Sequence, residues 1–334
     1  MAARVAINGF GRIGRQLFRI AMNSKDIEVV AVNNPSDSAT LAHLLKYDSS
    51  YGTLPEEVTS DETHLIVGGK KIRYFQERDP AKIPWGEEKV DIVLEATGVF
   101  NDKKAASGHM RDTVKKIIFT AAAKDADATI CMGVNDEIYD PKNHNYISNA
   151  SCTTNCMAPI MKVLHENLNV KRAMMTTVHS YTNDQVLQDQ PHKDLRRARA
   201  AAMSMIPTTT NAAYAVALVI PALKDKMNGL SIRVPTPTVS LLDVTAEVEK
   251  NTTVEEINAM MKKAAEGPLK GYMDFSMEPL VSVDYKKNTH SSIVDGLSTM
   301  VMEGNMVKVV SWYDNEWGYS CRVIDMAEMV AKKM

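Results

Sequence analysis

Near the start of the chain, Gly9-Phe10-Gly11-Arg12-Ile13-Gly14 fits the pattern G-x-G-x-x-G. The pattern alone is weak evidence. Here it follows the apolar run Arg4–Ile7 and opens the helical stretch Gly9–Ser24, the context that gives it physical meaning. In that setting the first glycine makes a tight turn and the second lets backbone approach a pyrophosphate. The third lets helix and strand pack closely. The helix start then offers unpaired N–H groups and a positive dipole end to phosphates. A turn of this kind belongs to a parallel sheet wound with helices.

The rest of the first half reads the same way. Glu28–Asn33, Asp91–Glu95, Lys116–Thr120, Thr129–Met132 and Tyr146–Ser148 are short apolar runs with polar or glycine punctuation, and Ala39–Leu45 looks helical. After about residue 150 the texture changes. A helix through Ala158–Leu168 is followed by long strands, Ala173–His179, Ile232–Val248 and Val294–Met302, with a hairpin turn at Glu303-Gly304-Asn305. Strands joined by returns predict a mostly antiparallel sheet with helices on one face. The fold class is therefore α/β: a Rossmann-type doubly wound parallel sheet plus an α+β catalytic domain. The expected division is a cofactor domain over 1–151 and a catalytic domain over 152–314, with the C-terminal helix, 315–334, packing back on the first.

Bulk properties limit the function classes. At roughly 100–200 residues per domain, 334 residues fit two domains. A net charge of -2 gives no pull toward nucleic acid or an anionic membrane. No apolar run reaches the roughly 18 residues of a membrane span, and MAARVAINGF carries no signal or transit pattern. Cys131, Cys152, Cys156 and Cys321 are too few and too scattered for a disulfide framework. A cytoplasmic location is expected. The 21 methionines read as adaptable core filler.

In a dinucleotide-binding turn, an acidic residue about 20 positions on usually holds the adenosine ribose. This chain has Asn33-Asn34-Pro35 there. Asn34 can hydrogen-bond a ribose hydroxyl without repelling a 2′-phosphate, so discrimination against NADP should be weak. The competing reading has Asp37 swinging in.

Asn149-Ala150-Ser151-Cys152-Thr153-Thr154-Asn155-Cys156 lies between a strand and a helix. A thiol at a helix N-terminus has its thiolate favoured by the dipole and by free N–H groups. Pro159 conflicts with a regular helix so near its start, so an irregular first turn or a kink is expected. Cys156 reads as small, buried and inert, and no His/Cys cluster suggests a metal. His179 ends an apolar strand, Thr176-Thr177-Val178-His179. With a helix-start cysteine in a dinucleotide-binding chain, it is the candidate base.

Taken together, AINGFGRIGR (6–15), SNASCTTNC (148–156), TTVHSYT (176–182), RVPTP (233–237) and SWYDNEWGYS (311–320) make the chain resemble the glyceraldehyde-3-phosphate dehydrogenase family over essentially its whole length. DLRRARAAA (194–202) resembles the bacterial and chloroplast branch. The resemblance implies Cys152 as nucleophile and His179 as its base. It implies Thr182 and Arg233 for the C3 phosphate of the substrate. Ser151, Thr153 and Thr210 would line the inorganic phosphate site, with Asn211 beside them and Arg197 near both phosphates. For NAD or NADP it implies Gly9, Gly11, Arg12, Ile13 and Gly14 at the pyrophosphate and nicotinamide. Asn34, Arg78, Thr97 and Gly98 fall on the adenosine side, Asn315 and Tyr319 near the nicotinamide ring, and Thr120 is a further cofactor-binding residue. It implies glyceraldehyde 3-phosphate and inorganic phosphate as substrates, and a homotetramer.

Several positions depart from the family pattern. Asn34 replaces the ribose-binding Asp, and Asn211 replaces a Gly, where a positive φ would suit Asn better than most residues. Tyr214 stands where Lys is usual. Gln190 stands where Leu is common in NAD-specific members, while Pro191 follows the NAD pattern. Two other readings remain open: an erythrose-4-phosphate dehydrogenase, and a non-catalytic binding or adhesion protein of the same fold.

Overall fold

The computed structural model describes residues 2–334 and separates into two compact units. Unit one comprises residues 2–130, 137–150 and 320–334; unit two comprises 131–136 and 151–319.

Among the described residues of unit one, a nine-stranded sheet contains β1 (Ala3–Asn8), β2 (Ile27–Asn33), β3 (Val58–Ser60), β4 (His64–Val67), β5 (Lys70–Phe75), β6 (Ile92–Glu95), β7 (Lys116–Phe119), β8 (Ala128–Thr129) and β9 (Tyr146–Ser148). Their order is β8-β9-β7-β6-β1-β2-β5-β4-β3. Every pairing from β8 to β5 is parallel, and β5-β4-β3 close the edge as antiparallel hairpins. β1 and β6 are covered on both faces, which is why Val5-Ala6-Ile7 and Ile92-Val93-Leu94 are continuous apolar runs with no exposure. Trp85, Phe75, Ile117 and Phe119 fill the core beside them. α1 (Arg12–Ala21) and α2 (Ser38–Lys46) lie in this unit. The chain's final turns join it through Ser24 Oγ, which donates to Glu328 at 2.6 Å, and a Lys332–Asp26 ion pair at 2.8 Å.

Unit two is built on β10 (Val170–Ser180), β11 (Ile206–Thr208), β12 (Met227–Val234), β13 (Ser240–Val248), β14 (Met273–Ser276), β15 (Ser292–Met302) and β16 (Met306–Tyr313). The order is β11-β12-β10-β13-β16-β15-β14, with β10-β12 and β14-β15 parallel and the other pairs antiparallel. α3 (Cys152–Leu168), α4 (Ala212–Val219) and α5 (Val254–Glu266) pack on it. The strict alternation of burial along β13 marks a sheet covered on one face. A last helix, α6, runs Trp317–Lys333.

Three sequence expectations need correcting. Ile232–Val248 is not one strand: Pro235 and Pro237 remove ladder donors, and the chain breaks there into β12 and β13. The run Thr129–Met132 supplies only Thr129 to a strand. The helix read over Ala158–Leu168 extends back to Cys152, the helix start that the cysteine motif called for, and continues through Pro159. The proline costs α3 one N–H, at the carbonyl of Asn155, and packing of the buried face outweighs that loss.

Candidate active site

Ser151 opens α3 with extended backbone (φ −109°, ψ 165°), and its side chain accepts the Thr154 N–H at 3.1 Å. That N-cap satisfies one orphan donor of the first turn and makes Cys152 the first helical residue. Cys152 Sγ lies 3.5 Å from His179 Nε2. Strand register brings in the next group. β10 and β12 run parallel with His179 opposite Arg233, and Arg233 Nη1 reaches His179 Nδ1 and donates to the Ser180 carbonyl at 3.2 Å. His179 Nδ1 meets the same carbonyl at 2.7 Å. Nδ1 thus sits between a carbonyl, which only accepts, and a guanidinium, which only donates, while Nε2 faces the thiol.

The hydroxyl of Tyr313 bridges Thr153 Oγ1 (2.9 Å) and Thr177 Oγ1 (2.7 Å), and its ring stands edge-on to His179, centroids 5.9 Å apart. One tyrosine thus fixes both the first turn of α3 and the strand carrying the histidine. Ser240 Oγ accepts the Ser180 N–H at 3.1 Å and donates to Asn315 Oδ1 at 3.0 Å. Asn315 is thereby oriented from the strand that carries His179.

In unit one the three glycines have different surroundings. A Cβ on Gly9 (φ 93°) would sit 2.6 Å from the Ala96 carbonyl carbon, and one on Gly14 would sit 2.1 Å from Gly9 O. A Cβ on Gly11 would meet nothing within 4 Å, and α1 begins there with no side-chain cap. The turn is closed where strand and helix meet and open where an anion would approach the helix start.

Two family models match the chain. The glyceraldehyde 3-phosphate dehydrogenase NAD-binding domain matches residues 3–103, and the C-terminal domain of the same family matches residues 151–315. The chain is 61% identical to a glyceraldehyde-3-phosphate dehydrogenase of Geobacillus stearothermophilus over 333 residues, 100% of this chain and 99% of the relative. It is 59% identical to the glyceraldehyde-3-phosphate dehydrogenase 1 of Bacillus cereus, with 99% of each chain covered. It is also 59% identical to that of Bacillus subtilis strain 168, covering 100% of this chain and 99% of the relative. The chain belongs to the glyceraldehyde-3-phosphate dehydrogenase family. That makes it an NAD(P)-dependent oxidoreductase of the aldehyde of glyceraldehyde 3-phosphate.

The electrostatics of this dehydrogenase site differ from the sequence expectation in one respect. A helix N-terminus was expected to favour the thiolate. Burial instead pushes the Cys152 thiol up, against the opposing pull of Arg233 and the Thr153 N–H. Burial, with the adjacent Arg233 charge, lowers His179 to about 3. The site without substrate therefore holds a neutral thiol beside a neutral imidazole that can take its proton. Burial alone drives Cys131 to about 12, and it dominates over two serine hydrogen bonds in holding Cys156 at about 12 as well. Neither is a nucleophile.

The residues that the family resemblance assigns to phosphates are less uniformly placed. Arg233 keeps a buried Nε with no hydrogen-bond partner, a donor suited to an anion. Arg197 is within electrostatic reach of Arg233. Its Nη1 is paired with Asp184, while Nε donates to Thr208 Oγ1 at 2.8 Å and lies 3.4 Å from Asp194. Arg197 lines an open cleft of about 890 Å³ with Asp184, His192, Lys193, Asp194 and Thr209. Other hydroxyls already have roles: Ser151 caps α3, Thr153 holds Tyr313, and Thr182 bonds Gln185 Oε1. Thr210 Oγ1 accepts the Ala212 N–H at 3.2 Å. Asn211 has φ −97°, so it needs no left-handed tolerance.

On the cofactor side, Asn34 Oδ1 accepts the Ser36 N–H at 3.0 Å, leaving its amide nitrogen as the group a ribose or 2′-phosphate would meet. Asp37 does not swing in. Its carboxylate caps α2, accepting Thr40 N at 2.8 Å and Thr40 Oγ1 at 2.8 Å. Arg12 is held by the buried Asp48 at 2.7 Å. Arg78 and Gly98 are exposed at loop positions, Ile13 is half-buried on α1, and Tyr319 is buried. Thr97 Oγ1 bonds the Glu95 carboxylate, and Thr120 Oγ1 donates to Glu95 O at 3.0 Å. Tyr313, Thr177, Ser240, Asp184 and Asp194 went unread in the sequence. Tyr313, Thr177 and Asp194 lie inside the quoted SWYDNEWGYS, TTVHSYT and DLRRARAAA runs; Ser240 and Asp184 carry no local signal.

Proposed function

We propose that the chain catalyses the phosphorylating oxidation of D-glyceraldehyde 3-phosphate to 1,3-bisphosphoglycerate, a glycolytic step. Unit one is the cofactor domain and unit two the catalytic domain. The observation that carries this reading is the 3.5 Å approach of Cys152 Sγ to Nε2 of His179. His179 takes the thiol proton as sulfur attacks the aldehyde carbon and passes it to the former carbonyl oxygen, giving a hemithioacetal. The same nitrogen then takes the hemithioacetal hydroxyl proton as hydride leaves, and a thioester remains on Cys152. NAD(P), when bound, supplies the hydride acceptor. Inorganic phosphate attacks the thioester carbon, the C–S bond breaks, and the acyl phosphate departs. Arg233 and Arg197 are the cations for the two phosphate groups this sequence requires.

Steady-state oxidation of glyceraldehyde 3-phosphate, with and without inorganic phosphate, tests the proposal. Multiple turnover is expected only with phosphate. Sustained phosphate-independent turnover would overturn the acyl-phosphate step, and activity confined to erythrose 4-phosphate would move the substrate to the four-carbon sugar.

Both NAD and NADP are proposed as cofactors, because Asn34 lacks the negative charge that would repel a 2′-phosphate and the exposed Gln190 can hydrogen-bond one. Asn34→Asp is expected to lower the NADP-to-NAD ratio of kcat/KM by about tenfold, the scale of one uncompensated charge contact. An unchanged ratio would mean that residue 34 does not read the 2′ position.

The family is generally tetrameric, and a homotetramer is proposed here. The uncovered face of the second sheet supports it: Met174, Leu230, Met300, Met302 and Met306 are all exposed there, an apolar surface of the kind that marks a protein interface. Light scattering reads the assembly directly; a monomeric mass at micromolar concentration would contradict it. Among the described residues no helix is long and apolar enough to cross a membrane.

A further inference from the structure

At the carboxyl end of β6, unit one buries a carboxylate that the chemistry above does not use. Glu95 is 2% exposed and its neighbour His109 is wholly buried. The Trp85 indole N–H donates to His109 Nδ1 at 2.9 Å, so the ring proton is on Nε2, 3.2 Å from Glu95 Oε2. The Asn8 amide donates to the same oxygen at 2.6 Å. Glu95 Oε1 accepts the Thr97 N–H at 2.9 Å and the Thr97 hydroxyl.

These bonds lead into the loops at the carboxyl ends of the parallel strands. Asn8 immediately precedes Gly9, and its Oδ1 accepts from Asn33 Nδ2 at 2.7 Å. Asn33 in turn holds the backbone of Glu77, next to Arg78, through Glu77 N (2.9 Å) and Glu77 O (2.8 Å). Thr97 Oγ1 accepts the Val99 N–H at 3.1 Å across Gly98. Gly9 leaves no room for a Cβ against the Ala96–Thr97 backbone, so these two loops are in contact as well as bonded. A wholly buried side chain facing four donors and bonded to two loops sets their relative position more rigidly than surface contacts can.

We infer that Glu95 is a positioning residue for the dinucleotide: its carboxylate holds the Gly9 turn, the Asn33–Asn34 corner and the Thr97–Gly98 loop in the register that NAD(P) needs. The inference rests on the reading that these loops hold the cofactor. It requires an acceptor at both oxygens, because an amide at either one would turn a donor toward donors.

Glu95→Gln is expected to weaken NAD binding, measured by calorimetry, by roughly tenfold, the scale of one buried donor left unpaired. At saturating NAD, kcat and the KM for inorganic phosphate should stay within about twofold. The second variant is Glu95→Asp, which keeps acceptors at both oxygens on a side chain one methylene shorter. It should bind NAD more tightly than Glu95→Gln. The inference is overturned by wild-type affinity in Glu95→Gln, by equal losses in NAD affinity and phosphate KM, or by a Glu95→Asp variant that binds NAD no better than Glu95→Gln. Should Glu95→Gln not fold, Asn8→Ala decides: it removes the bond from Glu95 to the Gly9 turn, and NAD affinity weakened about fivefold or more with the phosphate KM within about twofold supports the inference, whereas unchanged affinity overturns it. Failure of the wild-type chain to bind either dinucleotide would instead sink the reading of these loops as the cofactor site.

Discussion

Cys152→Ser is expected to lower kcat by roughly 10⁴-fold or more while NAD still binds. Serine is nearly isosteric, so the N-cap at Ser151 and the Thr153–Tyr313–Thr177 bridge should survive. What is lost is the nucleophile. A serine hydroxyl ionises far less readily than a thiol, and His179, lowered to about 3, is too weak a base to remove its proton. An ester in place of the thioester would also transfer its acyl group to phosphate reluctantly. The cofactor loops lie in the other compact unit and are untouched by the substitution. Steady-state turnover and calorimetric NAD binding on the same sample test both halves. Turnover within tenfold of the parent would remove Cys152 from the mechanism.

The parts of the fold legible in the sequence were those whose signal is local. β1, the glycine turn and α1 are adjacent, and each carries its own pattern: a buried apolar run, φ > 0 at Gly9, and an uncapped helix start. The hairpin at Glu303-Gly304 is local too, with both residues at positive φ. The errors arose where a local pattern had two solutions. Strand-like residues on either side of Pro235 and Pro237 read as one long strand, yet pair as two strands on opposite sides of β10. The antiparallel edge β3–β5 and helix α5 went unread, although Thr253 and Glu256 form a capping box that a closer scan would find.

At the site, sequence spacing could nominate Cys152 and His179 but not the long-range contacts around them. Tyr313 meets Thr153 across 160 positions of chain, and Asp184 meets Arg197 only through the path of an irregular loop. The exposed methionines show the same limit. Composition suggests core filler, but Met174, Met300 and Met302 are each more than half exposed, because burial depends on which sheet face the helices cover. The thiol's upward displacement was missed for a related reason: a helix dipole can be read from sequence, whereas burial cannot.

His179→Asn is the second large effect. An asparagine can still donate to the Ser180 carbonyl but offers no base to the thiol, so kcat should fall about 10²–10⁴-fold. In the parent enzyme, burial holds the Cys152 thiol above the ordinary thiol range, so kcat/KM should still be climbing at pH 9. A plateau below pH 7 would contradict that. Stability gives an independent readout with a definite sign. His179 is lowered to about 3 in the folded chain from an ordinary value of 6.5. Between those values the unfolded chain binds the extra proton, so this residue's contribution to stability falls as pH drops below about 6.5. At pH 4 the difference spans about 2.5 pH units, or roughly 3 kcal/mol at 1.36 kcal/mol per unit. Asparagine does not titrate, so the variant should lose less stability than the parent between pH 7 and pH 4 by an amount of that order. Parallel denaturant titrations at the two pH values measure it. Equal acid losses in variant and parent would mean that the imidazole is not held neutral by burial and Arg233, and the account of its basicity would have to be rebuilt.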